Sequence, residues 1–251
     1  MPIILRRIFL FLILSTAILV IYFEIVKEFG FGIGANLLFL SLITIMHIST
    51  DKPRSKIFIS VLLLFIASML LNIINYYLIV NAIAVLYANE IFLIIGFVLM
   101  MREVIRECRK EFVIKNYSWP VAIILILDGI IIYKIMALID EFHLSISHVL
   151  YGFIFTILKL LVLSIGLIYY FMSSYKTRKV SFLIGALALF FMSDIIETSN
   201  YLFFIKDPLV AGGVLNSGLS MLGVVLFYLY CTYPEQEDIM DNNESFFNTL
   251  L

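Results

Sequence analysis

Charge is scarce in this chain. Of its 251 residues only 14% are Asp, Glu, Lys or Arg, while 63% are apolar. An ordinary globular domain carries about 25% charged and about 45–50% apolar residues. The shortage excludes a soluble enzyme and a disordered regulator. A net charge of −1 leaves no basic footprint, so nucleic acid is excluded as a partner. Cysteine is nearly absent. Cys108 and Cys231 both fall on the side assigned below to the cytoplasm, where thiols stay reduced, so no disulfide is expected. No CxxC or HExxH pattern occurs. His143 and His148 lie five apart around a loop, a spacing that suits a helix boundary better than a zinc face. Neither a metal nor a cofactor is expected. His47 reads as an interfacial hydrogen bonder near the end of a span.

What the chain has instead is long apolar runs, with a mean hydropathy of +1.10. A membrane helix needs about 20 mostly apolar residues. Eight stretches qualify: 8–26, 31–50, 57–79, 82–101, 120–139, 149–172, 180–204 and 209–232. The breaks are short. Gly30, Gly32 and Gly34 follow the first run, and Asp51-Lys52-Pro53-Arg54 the second. Asn81 divides the third from the fourth, Trp119-Pro120 opens the fifth, and Lys206-Asp207-Pro208 precedes the eighth. The runs are apolar all round, unlike the alternating strands of a barrel. The expected fold is therefore all-α, a polytopic transmembrane bundle of eight helices.

Orientation follows the Lys and Arg bias of the loops. Thirteen basic residues fall on one side, among them Arg6, Arg54, Arg106 and Lys179, whereas the opposite loops hold only Lys27 and Lys206. This places both termini in the cytoplasm and the protein in an inner, cytoplasmic membrane as a multi-pass chain. The first span reads as a retained helix rather than a cleaved signal. The 234–251 segment carries five acids and no base, as a short mobile tail would.

The two halves of the chain look related. RSKIFISVLLLFIASMLLNIINYYL (54–78) aligns with RKVSFLIGALALFFMSDIIETSNYLF (178–203). Ser68 matches Ser193 and Asn75-Tyr76 matches Asn200-Tyr201 at an offset of 125, and Asn89 matches Asn216 with two residues inserted. Weak internal symmetry of this kind is common in membrane folds. The expectation is a 4+4 parallel duplication. Residues 1–101 form the first half, 102–119 a cytoplasmic connector that continues the fourth helix, and 120–233 the second half.

Ionisable groups inside a bilayer are costly, at least ~2.5–3.5 kcal/mol each on insertion scales, and they face the bundle interior. The spans hold Glu90, Asp128, Lys134, Lys159, Asp194 and Glu197, with Glu24 near an outer end. Asp194 and Glu197 lie three apart on one helix face, which Asn200 extends by a turn. Asn72 and Asn75 mark the equivalent face of the third span. Two readings of the cluster stand side by side. The carboxylates could line a polar cavity and divide into an acid and a base. Alternatively, Lys159 and Lys134 could neutralise Asp194, Glu90 or Asp128 and hold helices in register. No lysine lies inside the last two spans, so a retinal Schiff base is unsupported. The span serines have no histidine at similar depth for a triad.

The run from Gly185 to Asp194 (GALALFFMSD) resembles the Gly-Ala-x-x-Phe-x-x-Ser-Asp signature of the lysoplasmalogenase-like (YhhN) membrane proteins, with Leu189 and Phe190 straddling the aromatic position. LKLLVLSIGLIYYFM (158–172) is similar to that family's sixth span, and the last span after Asn216 fits in placement. The resemblance covers 158–232. It implies eight helices, a repeated half, and hydrolysis of the vinyl ether of lysoplasmalogen to a fatty aldehyde and a glycerophospho-base. Only Asp194 carries over residue by residue. The family's second acid, in the first half, is replaced here by Ser68-Met69-Leu70.

On this reading Asp194 does acid–base work, with Glu197 and Glu90 as stabilisers. Lys159, Asp128, Asn200 and Asn75 are the candidate substrate-binding residues. The partners would be membrane lipids and a lysophospholipid substrate. The alternatives are a non-catalytic subunit with a membrane-protein partner, and a small proton-coupled transporter.

Overall fold

The computed structural model describes residues 3–49, 56–78, 82–108, 122–124, 126–130, 132–133, 146–172, 178–203 and 210–232. Every regular element among them is an α-helix. These are α1 (Ile3–Ile25), α2 (Phe29–Ile48), α3 (Lys56–Leu78), α4 (Ala82–Cys108), α5 (Ile146–Met172), α6 (Arg178–Phe203) and α7 (Val210–Thr232). Residues 122–124, 126–130 and 132–133, within the fifth expected span, are helical too. The Asp51–Arg54, Trp119–Pro120 and Lys206–Pro208 breaks, Asn81, Lys134, His143, residues 109–119 of the connector and the acidic tail lie outside the described residues.

In hydrocarbon every backbone N–H and C=O must be bonded within its own segment, which makes helices of these apolar runs. Six of them, α1, α2, α3, α5, α6 and α7, are long and apolar enough to cross a membrane. The chain is a multi-pass helical membrane protein. Its outward side chains fit that solvent: Phe11, Leu14 and Ile18 of α1 are all exposed.

Sequence neighbours pack as spatial neighbours. α1 packs on α2, α2 on α3, α3 on α4, α4 on α5, α5 on α6 and α6 on α7, and α7 closes the ring onto α1. Across the ring α4 touches α6 and α3 touches α7. The near end of the bundle is where α1 begins and α7 finishes. The far end holds the turn between α1 and α2.

That turn corrects one expectation. Gly30, Gly32 and Gly34 do not break the chain but lie within the first turns of α2. The reversal is made by Lys27, in the left-handed region at φ 60°. Glu28 N–H donates to Phe23 O at 3.0 Å and Lys27 N–H to Glu24 O at 3.3 Å, the paired bonds of a Schellman cap. Gly30 serves packing: a Cβ there would lie 2.7 Å from the Tyr76 ring.

At the near end α4 runs past the expected span limit to Cys108. Its Glu103 accepts a hydrogen bond from Tyr230 OH at 2.9 Å and pairs with Arg106. His47, in the last turn of α2, is buried, with its ring 4.5 Å from that of Phe58 and 6.0 Å from that of Tyr228. Helix α2 ends one residue later, and two aromatic rings, from α3 and α7, pack against His47.

Lipid tails are as apolar as Leu, so helices in a bilayer are held by close packing and interhelical hydrogen bonds. The centre of the bundle shows both devices twice. Ser68 Oγ on α3 donates to Asn89 Oδ1 on α4, and Ser193 Oγ on α6 donates to Asn216 Oδ1 on α7. The Phe65 ring lies against Gly96, where a Cβ would be 2.8 Å from it, and the Phe190 ring lies against Gly223 at the same 2.8 Å. The two phenyl rings then meet edge to face, with centroids 5.0 Å apart.

Candidate functional site

Above the two phenylalanines, toward the far end, lies a cavity of about 70 Å³, room for a few waters. Its walls differ. α6 and α7 contribute Ser193, Asp194, Glu197, Asn216, Ser217 and Ser220 above the Phe190 ring, and α2 adds Asn36 and Leu40. α3 and α4 contribute Phe65, Met69, Leu93 and Phe97. The helical period builds the polar wall: Ser193, Asp194 and Glu197 fall within little more than one turn of α6, and Asn216, Ser217 and Ser220 do so on α7.

Asn216 fastens that wall. It receives Ser193 Oγ on its backbone oxygen at 3.0 Å and on its side-chain oxygen, and its Nδ2 donates to Glu197 Oε2 at 3.3 Å. Beside the wall stands Lys159 of α5, 1% exposed. Its Nζ is 2.5 Å from Asp194 Oδ1 and 2.5 Å from Glu90 Oε2. A buried ammonium needs such partners, because leaving it bare in hydrocarbon costs several kcal/mol. Two carboxyls share one ammonium and Glu197 stands beside them, which leaves a surplus of acid for chemistry.

The expected residues divide into three groups. Asp194, Glu197, Glu90 and Lys159 come together, and of these Asp194 and Glu197 line the cavity. Asp128 is buried but accepts a 2.7 Å hydrogen bond from Ser164 Oγ of α5, which carries it away from the Lys159 ion group. Asn75 is half-buried on α3 and is not among the residues lining the cavity. The side chain of Asn200 lies outside the described residues. Among the described residues no three His, Cys, Asp or Glu side chains are grouped for a metal ion.

Several participants were hidden in the sequence. Asn36, Ser217 and Ser220 carry no charge and sit in apolar runs, so only the cavity reveals them. Glu24 was visible as a charge but not as a neighbour of α7. Its Oε1 accepts a hydrogen bond from Ser217 Oγ at 3.2 Å, across 193 residues of sequence.

Toward the near end the described residues beneath the cavity are tightly packed. Phe58, Val61 and Leu62 of α3, Met100 of α4, Leu183 and Leu187 of α6 and Phe227 of α7 are all 0% exposed. They form a dry core beneath Phe65, Phe97 and Phe190. No protein-family model matches this chain, and neither a curated protein nor a solved structure matches it.

Proposed function

We propose that the protein is an integral membrane hydrolase that cleaves the vinyl ether of lysoplasmalogen-type lysophospholipids by carboxylate acid–base chemistry. The observation that carries this reading is the cavity with two unlike walls, Asp194 and Glu197 facing an apolar surface. An amphiphile whose reactive bond joins an alkyl chain to a polar head matches such a divided surface. A cavity of this size takes the reacting bond and a water, and the rest of the lipid extends beyond it.

The roles follow from the partners. Asp194 is paired with Lys159 and serves as the ionised carboxylate that stabilises positive charge. Lys159 forms its ion pairs with Asp194 and Glu90 rather than with Glu197, whose carboxyl is held by Asn216. Glu197 is the better proton donor, which revises the acid–base role that the sequence suggests for Asp194. Glu197 protonates the β-carbon of the vinyl ether, giving an oxocarbenium ion beside Asp194. Water adds to the α-carbon and returns a proton to Glu197. The resulting hemiacetal collapses to a fatty aldehyde and the free glycerol hydroxyl. Glu90 completes the neutralisation of Lys159.

The rival of a non-catalytic subunit within a larger assembly draws on the same Lys159 pairs, which also bolt α4, α5 and α6 together. A proton-coupled transporter is less well supported, because it needs a polar path through both halves of the membrane and the described residues directly beneath the cavity are apolar. We further infer that the near end is cytoplasmic, in an inner membrane, from the thirteen-to-two distribution of Lys and Arg. A 4+4 duplication is supported by the repeated Ser–Asn and Phe–Gly contacts at offsets of 125 and 127 residues.

The decisive experiment is fatty aldehyde release from lysoplasmalogen by the purified protein, beside Glu197→Gln and Asp194→Asn. Both variants are expected to lose about 10²–10⁴-fold in rate, the usual worth of a positioned acid or base. No release across several head groups from a folded preparation overturns the reading.

A further inference from the structure

A hydrolase inside a bilayer needs water, and the cavity described above is apolar on one wall, with tightly packed described residues beneath it. Among the described residues, Glu24 is joined to one of its lining residues from the far end. Glu24 is the penultimate residue of α1, and its carboxylate is seated in a notch made by small residues. A Cβ on Gly213 of α7 would collide with Glu24 Oε2, and one on Gly32 of α2 would lie 3.7 Å from Oε1. Ser217, whose Oγ donates to Glu24 Oε1 at 3.2 Å, is buried and lines the cavity. On its other side Ser217 follows Asn216, the residue that holds Glu197. Glu24 is thus one hydrogen bond from the cavity that Ser217 and Glu197 both line.

A carboxylate in such a place is costly unless it has work or a partner. Among the described residues, the groups set against this carboxylate are Ser217 and two glycines. Ser217 can pass a proton on by turning its hydroxyl, since it is both donor and acceptor.

We propose that the Glu24–Ser217 pair is the port through which water and protons pass between the far end of the bundle and the Asp194–Glu197 cavity. The proposal rests on the hydrolase reading only for the use made of the water. Its test therefore runs without substrate.

The carboxylic C=O stretch of the cavity is followed by infrared spectroscopy as the purified protein in lipid nanodiscs is moved from H2O to D2O. The cavity band is the one lost in Glu197→Gln. Glu24→Leu is expected to slow its deuterium shift by at least tenfold. Gly213→Ala, which keeps Glu24 but displaces its carboxylate, is expected to slow it as well. Glu28→Gln, exposed in the turn between α1 and α2, should leave the rate unchanged. An unaltered rate in Glu24→Leu overturns the port, as does equal slowing in Glu28→Gln or the absence of any band assignable to Glu197. Circular dichroism of each variant separates slowing from misfolding, and Ser217→Ala provides a milder substitution if Glu24→Leu does not fold. Slowed exchange without aldehyde release would keep the port and remove the hydrolase. Unaltered exchange with release would do the reverse.

Discussion

The α3–α4 and α6–α7 hairpins share a framework and differ in chemistry. Each is pinned by a serine hydroxyl on an asparagine, Ser68 to Asn89 and Ser193 to Asn216. Each packs a phenylalanine on a glycine, Phe65 on Gly96 and Phe190 on Gly223. Yet where α6 carries Asp194 and Glu197, the positions 125 residues earlier on α3 are Met69 and Asn72. Where α7 carries Ser220, the position 127 residues earlier on α4 is Leu93. The scaffold contacts are common to both hairpins, and the acids belong to one. A framework built of small residues and neutral hydrogen bonds holds whichever side chains face the cavity, so one wall can be apolar while the other is charged.

Breaking the bolt between the hairpins should have the largest effect. Lys159 reaches Glu90 of the first and Asp194 of the second. Lys159→Met leaves both carboxylates without their cation and should cost about 3–5 kcal/mol, the usual loss when one partner of a buried pair is removed. Thermal unfolding in nanodiscs reads it. Adding Glu90→Leu and Asp194→Leu should restore most of the stability, and failure to do so would mean that the ions are not the source of the loss.

Next comes an attempt to make the walls alike. Met69→Asp puts a carboxyl opposite Asp194 with no second lysine to meet it. A destabilisation of about 2.5–3.5 kcal/mol is expected from the cost of an unpaired charge at depth. An unchanged melting temperature would show that the first hairpin can still host an acid.

The shared framework is probed by Gly96→Ala and Gly223→Ala. In both, the new Cβ meets a phenyl edge at 2.8 Å, so overpacking should cost each about 1–3 kcal/mol. Matching losses support equivalence, and a loss confined to one hairpin would break the comparison.

The smallest effect sharpens it most. Ser68→Ala and Ser193→Ala each remove one interhelical hydrogen bond, worth on average ~0.6 kcal/mol in a bilayer. Only Ser193→Ala also loosens Asn216 from Glu197. Aldehyde release should fall in Ser193→Ala and hold in Ser68→Ala. Equal rates in the two would remove Asn216 from the site.

Much of this was legible in the residues. The apolar runs announced the helices because the bilayer forbids unsatisfied backbone, and Asp194 with Glu197 could be put on one face by helical period alone. The Ser68/Ser193 and Asn89/Asn216 matches were visible as letters, though not as bonds. Other features were not legible. Gly30, Gly32 and Gly34 read as a break because glycine is a turn residue, but in a packed bundle they admit neighbouring side chains. The rings around His47 were not legible, because depth along a span says nothing about which side chains surround it. Asp128 read as a member of the charge cluster because depth was all that could be compared.

The sequence by itself determined the solvent of this protein, the helical character of its spans and the identity of its few buried charges, since these depend on composition and local period. Which charges meet was decided by the tertiary structure. The direction in which a side chain leaves a helix is local, but its partner is set by how the helices rotate against one another. That rotation alone brought Glu24 to Ser217, Lys159 to Glu90 and Asp194, and Phe65 to Phe190.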